Sequence, residues 1–190
     1  MNTAMTLDSD QDLKTGSDSA RKRMTIFRAA DATDVQEFMP LVGVDESVQA
    51  GFAKMMAMGA QAGSGESAVC VFREPGEKGL SLCHAWFKSN YVLVKHSHDA
   101  DCVYYVIAGE LHAGAAVLKA GDGIFIPCDH PYTFTAGPEG VEFVEFRNAT
   151  QFHIHLKGND EAHWDKIANA FRDNKDNWEK EIPPSQRAKA

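Results

Sequence analysis

The chain has 190 residues and a formal net charge of −8 at pH 7, and 44% of its residues are hydrophobic. This composition is ordinary for a globular protein, and the length suits one domain with flanking segments. The acidic balance argues against a nucleic-acid or anionic-membrane partner, because both need a basic surface. No apolar run reaches membrane-spanning length, and the N-terminus lacks the apolar core of a signal peptide, so we expect a cytoplasmic protein.

The N-terminal third of the chain contains one helical pattern. Residues 1–23 are polar and rich in Ser, Asp and Thr, which predicts a disordered tail. Residues 24–66 are predicted to form a helical and extended flank, in which Asp45 caps a helix and Gly59 ends it. The apolar residues of this helix recur at helical spacing and are interpreted as core; they are Val48, Phe52, Met55 and Met56.

Residues 67–158 change to a period of two, which is typical of strands buried on one face. Eight or so short strands are predicted, separated by turns that contain Gly, Pro or Asp. Such a series predicts a β-sandwich or a small barrel. The cysteines show no C-x-x-C spacing, which favours small buried thiols over disulfides or a zinc knuckle; they are Cys70, Cys83, Cys102 and Cys128.

The sequence becomes helical again after Gly158. Residues 159–182 are predicted to form an amphipathic helix that ends at Pro183, and residues 183–190 form a tail. This helix either caps the barrel or packs on a second subunit. Its apolar stripe consists of Trp164, Ile167, Phe171 and Trp178.

The segment VLVKHSHDADCVYYV carries the candidate chemistry. His96 and His98 stand two apart in a strand, so both imidazoles project from one face, which is a common way to bind a metal ion. Cys102 and Tyr104 share a face after the next turn. If the histidines point into the barrel, we expect Cys102 and Tyr104 to do so as well.

Residues 67–156 resemble the cupin superfamily in two sequence patterns. The first pattern is G-x5-H-x-H-x3-4-E-x6-G, and the second is G-x5-P-x-G-x2-H-x3-N. The positions that match are His96, His98, Gly109, Gly121 and Pro127. The positions that depart are Asn90 and Asp129 in place of Gly, Cys102 in place of Glu, Tyr132 in place of His, and Ala136 in place of Asn.

The resemblance implies an all-β cupin jelly-roll barrel, or double-stranded β-helix, with an N-terminal helical segment and a C-terminal amphipathic helix. It implies one divalent transition metal per chain, with Fe(II) favoured and Zn, Mn or Ni as alternatives. His96 and His98 are implied metal ligands, and Cys102, at the Glu position, offers a thiolate that suits zinc or iron. His130 is a candidate third ligand. Tyr132 either binds the metal as a phenolate or donates a hydrogen bond to a substrate oxygen.

Three functions are consistent with this resemblance. The first is a mononuclear-iron oxygenase for a small aromatic or carbonyl compound, in which Tyr104 or Tyr132 orients or protonates the substrate and His130 is a ligand or base. The second is a non-redox lyase or isomerase, because H-x-H-x3-C-x-Y is similar to a pattern of cupin sulfonium-propionate lyases whose Tyr, matched by Tyr104, is the base. The third is a non-catalytic small-molecule-binding or sensor domain. A homodimer is expected in each case.

Other polar residues have alternative places in this scheme. Glu145 and Arg147 form an interior ion pair, anchor a carboxylate substrate, or form a surface pair, because both faces of their strand carry two large apolar residues. The remaining histidines are interpreted as follows: His84 as a candidate for the cavity wall, His153 and His155 as a polar strand edge, and His112 and His163 as solvent-facing.

Overall fold

The computed structural model describes residues 24–61, 63–76 and 78–187, so the predicted N-terminal tail, residues 1–23, lies outside the described residues. The described chain contains two α-helices, α1 (Glu46–Ala57) and α2 (Glu161–Trp178). Its strands are β1 (Thr33–Asp34), β2 (Leu41–Val42), β3 (Glu66–Arg73), β4 (Lys78–Phe87), β5 (His96–His98), β6 (Cys102–Ala113), β7 (Ala116–Lys119), β8 (Gly123–Ile126), β9 (Thr135–Ala149) and β10 (Ile154–Leu156). Short 3-10 helices cover Ala29–Asp31, Val35–Glu37 and Pro184–Gln186.

The strands form two sheets. The larger sheet has the order β1-β3-β4-β9-β6-β7, with β8 paired to β6, and these neighbours run antiparallel. The smaller sheet has the order β2-β10-β5, in which β2 runs parallel to β10 and β5 antiparallel to it. This arrangement confirms the predicted all-β fold with an N-terminal and a C-terminal helix. The N-terminal flank contributes two short strands to it.

Buried and exposed side chains alternate along β6, so one face of this strand is interior and the other is at the surface. Its first residues are alternately buried and exposed, beginning with buried Cys102 and exposed Val103. Since successive side chains of a strand point to opposite faces, one face of β6 enters the core. The core cluster that includes this face contains Ala85, Phe87, Leu93, Cys102, Tyr104, Val106, Leu111, Ile126, Tyr132, Phe134, Ala136, Val141 and Phe143.

Backbone conformation explains two departures from the cupin patterns. Asn90 and Asp129 stand where the patterns have Gly, and both have positive φ, of 56° and 59°. Asn and Asp tolerate this left-handed conformation better than other side chains, so the turns are retained. At the matching Gly109, φ is 79° and an added Cβ would lie 2.1 Å from the carbonyl oxygen of Gly140, which only glycine allows.

Helix α1 begins and ends as predicted. The Asp45 side chain accepts a hydrogen bond from the backbone N–H of Val48 at 2.9 Å, and Gly59 has a φ of 85° just after the helix. Val48 is buried and Phe52 packs on Trp164 of α2. Met56 is 68% exposed, so its predicted core position is wrong.

Helix α2 packs on the barrel of its own chain through the predicted apolar stripe, whose four residues are all buried. The indole N–H of Trp178 donates to the carbonyl oxygen of Ser89 at 2.8 Å, and that of Trp164 to Gly158 at 3.0 Å. Of the two predicted alternatives, the contacts of this helix are those of a cap on the barrel of its own chain. Across the described ranges, neither helix combines the length and hydropathy needed to cross a bilayer.

Candidate functional site

His96 and His98 lie on β5, a three-residue strand held on both sides. β5 pairs with β10, and the backbone of His96 exchanges two hydrogen bonds with that of Tyr132, at 3.0 and 2.8 Å. The two histidines are 3% and 5% exposed, and their ring centroids lie 4.8 Å apart. The structure therefore brings the predicted pair together in the interior.

Both imidazoles are held in the same tautomer. The Nδ1 of His96 lies 2.7 Å from the carbonyl oxygen of Val94, and that of His98 lies 2.7 Å from the carbonyl oxygen of His153. A carbonyl oxygen only accepts, so each Nδ1 carries the proton and each Nε2 presents its lone pair. Burial lowers the pKa of His96 to about 4, and burial with the nearby charge of Arg147 lowers that of His98 to about 2. Both rings are therefore neutral at pH 7.

Two tyrosines lie beside the histidine pair. The hydroxyl groups of Tyr104 and Tyr132 are 2.8 Å apart, and the Tyr132 ring centroid is 4.5 Å from that of His96. Burial raises the pKa of both phenols above the usual value for tyrosine. Both are therefore neutral hydroxyl groups that can donate a hydrogen bond, which is the second of the two roles considered for Tyr132.

Cys102 enters the same interior from the first position of β6. Burial raises the pKa of its thiol, although the positive charge of Arg147 opposes this shift. The thiol is therefore protonated at neutral pH in the protein alone. A bound cation would favour the thiolate, as it does at other metal sites.

Glu145 and Arg147 form an interior ion pair, which was one of the three alternatives open from sequence. The side chain of Arg147 is 1% exposed and that of Glu145 13% exposed, and Nη1 of Arg147 donates to Oε2 of Glu145. Two rows cross β4, β9 and β6 in direct register: Ser81, Arg147 and Cys102 in one, and Cys83, Glu145 and Tyr104 in the next. The pairing of Arg147 with Cys102 and of Glu145 with Tyr104 shows which face of β9 is interior. The sequence does not reveal this pairing, because it depends on register shifts between β6 and β9.

His130 lies away from this cluster. It is exposed in the turn that follows Pro127, to whose carbonyl oxygen its backbone N–H donates at 3.2 Å. The turn around Pro131 returns the chain to the barrel at Tyr132. The structure therefore does not bring His130 together with His96 and His98.

The other histidines lie outside the histidine pair's surroundings. His84 is on the outer face of β4, 3.2 Å from Glu142, so it does not line the interior as considered from sequence. His163 is half-buried and 3.1 Å from the carbonyl oxygen of Leu93, which corrects its predicted solvent-facing position. His153 and His155 are exposed, as predicted, but β10 is the central strand of the smaller sheet, so the predicted strand edge is wrong.

The donor set suits a transition metal only in part. Two neutral imidazoles with available Nε2 atoms fit a divalent metal, and their Nδ1 hydrogen bonds are the usual support for such ligands. However, in the ranges described, no group of three or more His, Cys, Asp or Glu side chains is arranged to hold a metal ion. A metal at this pair would therefore take two imidazole ligands, with its other positions available to water or to a small molecule.

Comparison with known proteins finds similarity among solved structures. No protein-family model matches the chain, and no curated protein matches it. An RmlC-like cupin from Shewanella frigidimarina is 24% identical, with a TM-score of 0.41 over 47% of this chain and 80% of that one. KdgF from Halomonas sp. is 21% identical, with a TM-score of 0.40 over 47% and 84% of the two chains. The DMSP lyase DddQ from Ruegeria pomeroyi is 20% identical, with a TM-score of 0.40 over 44% and 47%.

Proposed function

We propose that this chain is a metal-binding cupin enzyme that acts on a small organic substrate inside the barrel, with His96 and His98 as metal ligands. The observation that carries the proposal is the shared tautomer of the two rings. Both Nδ1 atoms are hydrogen-bonded to carbonyl oxygens at 2.7 Å, so both Nε2 atoms are electron-pair donors in one buried site. A divalent transition metal there would supply Lewis acidity and, as Fe(II), one-electron chemistry.

The surroundings of the pair favour a small substrate with an apolar or aromatic part. Tyr104 stacks on Phe143 with ring centroids 4.8 Å apart, and Tyr132 lies 5.0 Å from Phe134. One phenol hydroxyl donates to the other, so the pair has one O–H left in this aromatic surface, and it would orient a carbonyl or hydroxyl oxygen of the substrate. Two imidazole ligands leave coordination positions for substrate and O₂, which supports a mononuclear-iron oxygenase as the first candidate.

A non-redox lyase or isomerase is the second candidate, and the Tyr104–Tyr132 hydrogen bond of 2.8 Å favours it. Linked hydroxyls can pass a proton between them, and because burial raises the pKa of both phenols, both are protonated at pH 7 before a substrate binds. Oxygen uptake separates the two candidates. An oxygenase would consume O₂ with Fe(II) and one member of a panel of aromatic ketones and thiols, whereas a lyase would convert its substrate without O₂.

Metal analysis tests the proposal. Protein purified without a chelating tag and reconstituted with Fe(II), Zn(II), Mn(II) or Ni(II) is expected to retain about one equivalent of one of them. His96→Ala is expected to lose it, whereas His153→Ala, which removes an exposed histidine of the neighbouring strand, is the matched control. Retention below about a tenth of an equivalent, or full retention by His96→Ala, would refute the metal site and favour a sensor role.

We also propose a homodimer, which the outer face of the larger sheet supports. Val103 of β6 stands directly opposite Phe125 of β8 and Phe146 of β9, and all three are at least 43% exposed. A contiguous apolar surface of this kind is typical of an interface. Light scattering is expected to give twice the chain mass, and Phe125→Glu is expected to lower it; a wild-type monomer would contradict the proposal.

A further inference from the structure

The first row across the larger sheet contains polar groups that the proposed function does not use. Ser81 of β4 and Arg147 of β9 are directly opposite each other, and each is 1% exposed. Within the described residues, the hydroxyl oxygen of Ser81 and the Nε of Arg147 are buried atoms with no hydrogen-bond partner. Buried polar atoms are satisfied in almost all native structures, so two in one row call for an explanation.

Arg147 has an unused edge. Its Nη1 donates to Glu145, while its Nε has no partner. The guanidinium lies over the ring of Phe152, with Cζ 4.2 Å from the ring centroid, and this contact fixes the plane of the fork. A planar guanidinium with a free edge matches the two oxygens of a carboxylate better than any other side chain does.

The unused edge lies close to the histidine pair. Phe152, on which Arg147 stacks, also contacts His98, with ring centroids 5.5 Å apart and nearly perpendicular. Cys102 is the register neighbour of Arg147 on the other side, and Tyr104 is the register neighbour of Glu145. An anion bound by Arg147 would therefore lie near His98 and Tyr104.

We propose that Arg147 and Ser81 form a carboxylate-binding subsite and that the substrate of the interior site is a small organic acid. The substrate carboxylate accepts from Nε of Arg147 and from the hydroxyl group of Ser81, and its remaining part lies towards His98 and Tyr132. The placement towards the histidines rests on the proposed function, but the anion binding itself uses only Arg147 and Ser81. A carboxylate beside Glu145 adds a negative charge, which a divalent cation at the imidazoles would offset, so metal and acid should bind cooperatively.

Paired ligands that differ only in charge test the subsite. Acetate, pyruvate and benzoate are titrated calorimetrically into the full chain, with and without Zn(II), beside acetamide, pyruvamide and benzamide. At least one acid is expected to bind roughly tenfold or more tightly than its amide, because a charge-assisted, bidentate contact is available only to the acid. If the folded, zinc-loaded protein binds each acid and its amide equally, the proposed carboxylate subsite is wrong.

Variants assign the effect to these residues. Ser81→Ala removes one hydroxyl group without adding volume, and it is expected to weaken acid binding roughly threefold to tenfold while amide binding stays unchanged. Ser67→Ala, at an exposed position of β3, is the control and is expected to keep wild-type affinity. The paired change Glu145→Gln with Arg147→Met removes both interior charges together and is expected to abolish the preference for the acid. A preference that survives this paired change in a folded protein overturns the assignment.

The outcomes separate this inference from the proposed function. If the protein retains no metal but still prefers acids to amides, the carboxylate subsite is supported and the metal site is refuted. Stoichiometric metal at His96 and His98 with no preference for acids would support the metal site and refute the carboxylate subsite. Acid affinity that is the same with and without Zn(II) would overturn the cooperative placement towards the histidines.

Discussion

Two H-x-H segments lie side by side in the smaller sheet, and one pair of histidines is buried while the other is exposed. His96 and His98 of β5 are buried, whereas His153 and His155 at β10 are exposed, although the two strands pair directly. Register explains the difference, because His98 stands opposite Ile154, while His155 stands opposite Ser97. A shift of one residue moves every side chain to the other face, so the same motif is an interior donor pair in one strand and a surface pair in the next.

The two pairs also differ in the acceptors of their Nδ1 atoms. Those of His96 and His98 lie against carbonyl oxygens, whereas that of His153 lies 2.7 Å from the carboxylate of Asp99 at the surface. A carbonyl oxygen only accepts, so it keeps the proton of the inner rings on Nδ1. Burial therefore leaves the inner pair as neutral rings with available Nε2 atoms, whereas the outer pair is part of the exposed surface.

The largest expected loss of stability comes from removing an interior charge rather than a surface charge. Arg147→Met leaves the carboxylate of Glu145 without its partner in the barrel, and we expect it to lower the free energy of unfolding by about 3–5 kcal/mol. Arg172→Met removes the arginine of the exposed Arg172–Asp173 pair on α2 and is expected to change urea-induced unfolding negligibly. Equal losses in the two variants would contradict the interior placement of Arg147.

Zinc binding should stabilise the protein only through the inner pair. At a free Zn(II) concentration of 100 times the dissociation constant, the free energy of unfolding is expected to rise by about 2.7 kcal/mol. Thermal unfolding with and without Zn(II) measures this rise, which His98→Ala should abolish and His155→Ala should leave intact. Stabilisation lost in His155→Ala instead would place the metal on the outer pair.

Acid should destabilise the protein through the inner pair. The pKa of His96 is about 4 and that of His98 about 2 in the folded protein, both below the value of 6.5 for an unperturbed histidine. Below about pH 6.5 the unfolded chain takes up protons that the folded chain does not, so stability is complete above that pH and falls as the pH decreases. Each ring contributes a slope of about 1.4 kcal/mol per pH unit, continuing to about pH 4 for His96 and lower for His98.

Urea unfolding between pH 7 and 4.5 measures this slope. A variant with both His96→Gln and His98→Gln is expected to show a shallower dependence on pH than the wild type. The matched variant with both His153→Gln and His155→Gln keeps the inner pair and should keep most of the slope. Parallel curves for the wild type and the inner-pair variant would show that these two rings are not held neutral by burial.

The smallest effect is expected at the turn that supports His98. The backbone N–H of Asp129 donates to the carbonyl oxygen of His98 at 2.7 Å, and the φ of Asp129 is 59°. Asp129→Gly relieves the left-handed conformation but makes the unfolded chain more flexible, so the net change in stability should stay within about 0.5 kcal/mol. Metal content should remain that of the wild type; its loss would show that the Asp129 carboxylate has a role beyond the turn.

Much of the fold was predictable because local patterns carry it. The period of two, the turn glycines and the caps of α1 each reflect a backbone requirement that is visible in the sequence. Alternation within two neighbouring segments predicted that His96 shares a face with His98 and Cys102 with Tyr104, and all four are buried. Even the departures at Asn90 and Asp129 have positive φ, a conformation that glycine adopts readily.

The remaining part of the site depended on long-range register. Glu145 and Arg147 lie on a strand with apolar residues on both faces, so alternation alone could not orient them. Their direction is set by pairing between β6 and β9, whose register shifts between Val106 and Ala108 and again between Gly109 and Leu111. His130 was weighed as a ligand because it is near Tyr132 in sequence, but the turn at Pro131 separates the two in space.

The central claim is that the inner histidine pair binds a metal and the outer pair does not. Anomalous X-ray diffraction at the absorption edge of the reconstituted metal, from crystals of the full chain, tests it most directly. We predict one peak about 2.0–2.1 Å from Nε2 of both His96 and His98. A peak at His153 or His155, or no peak in crystals that diffract well and were grown with excess metal, would contradict the account.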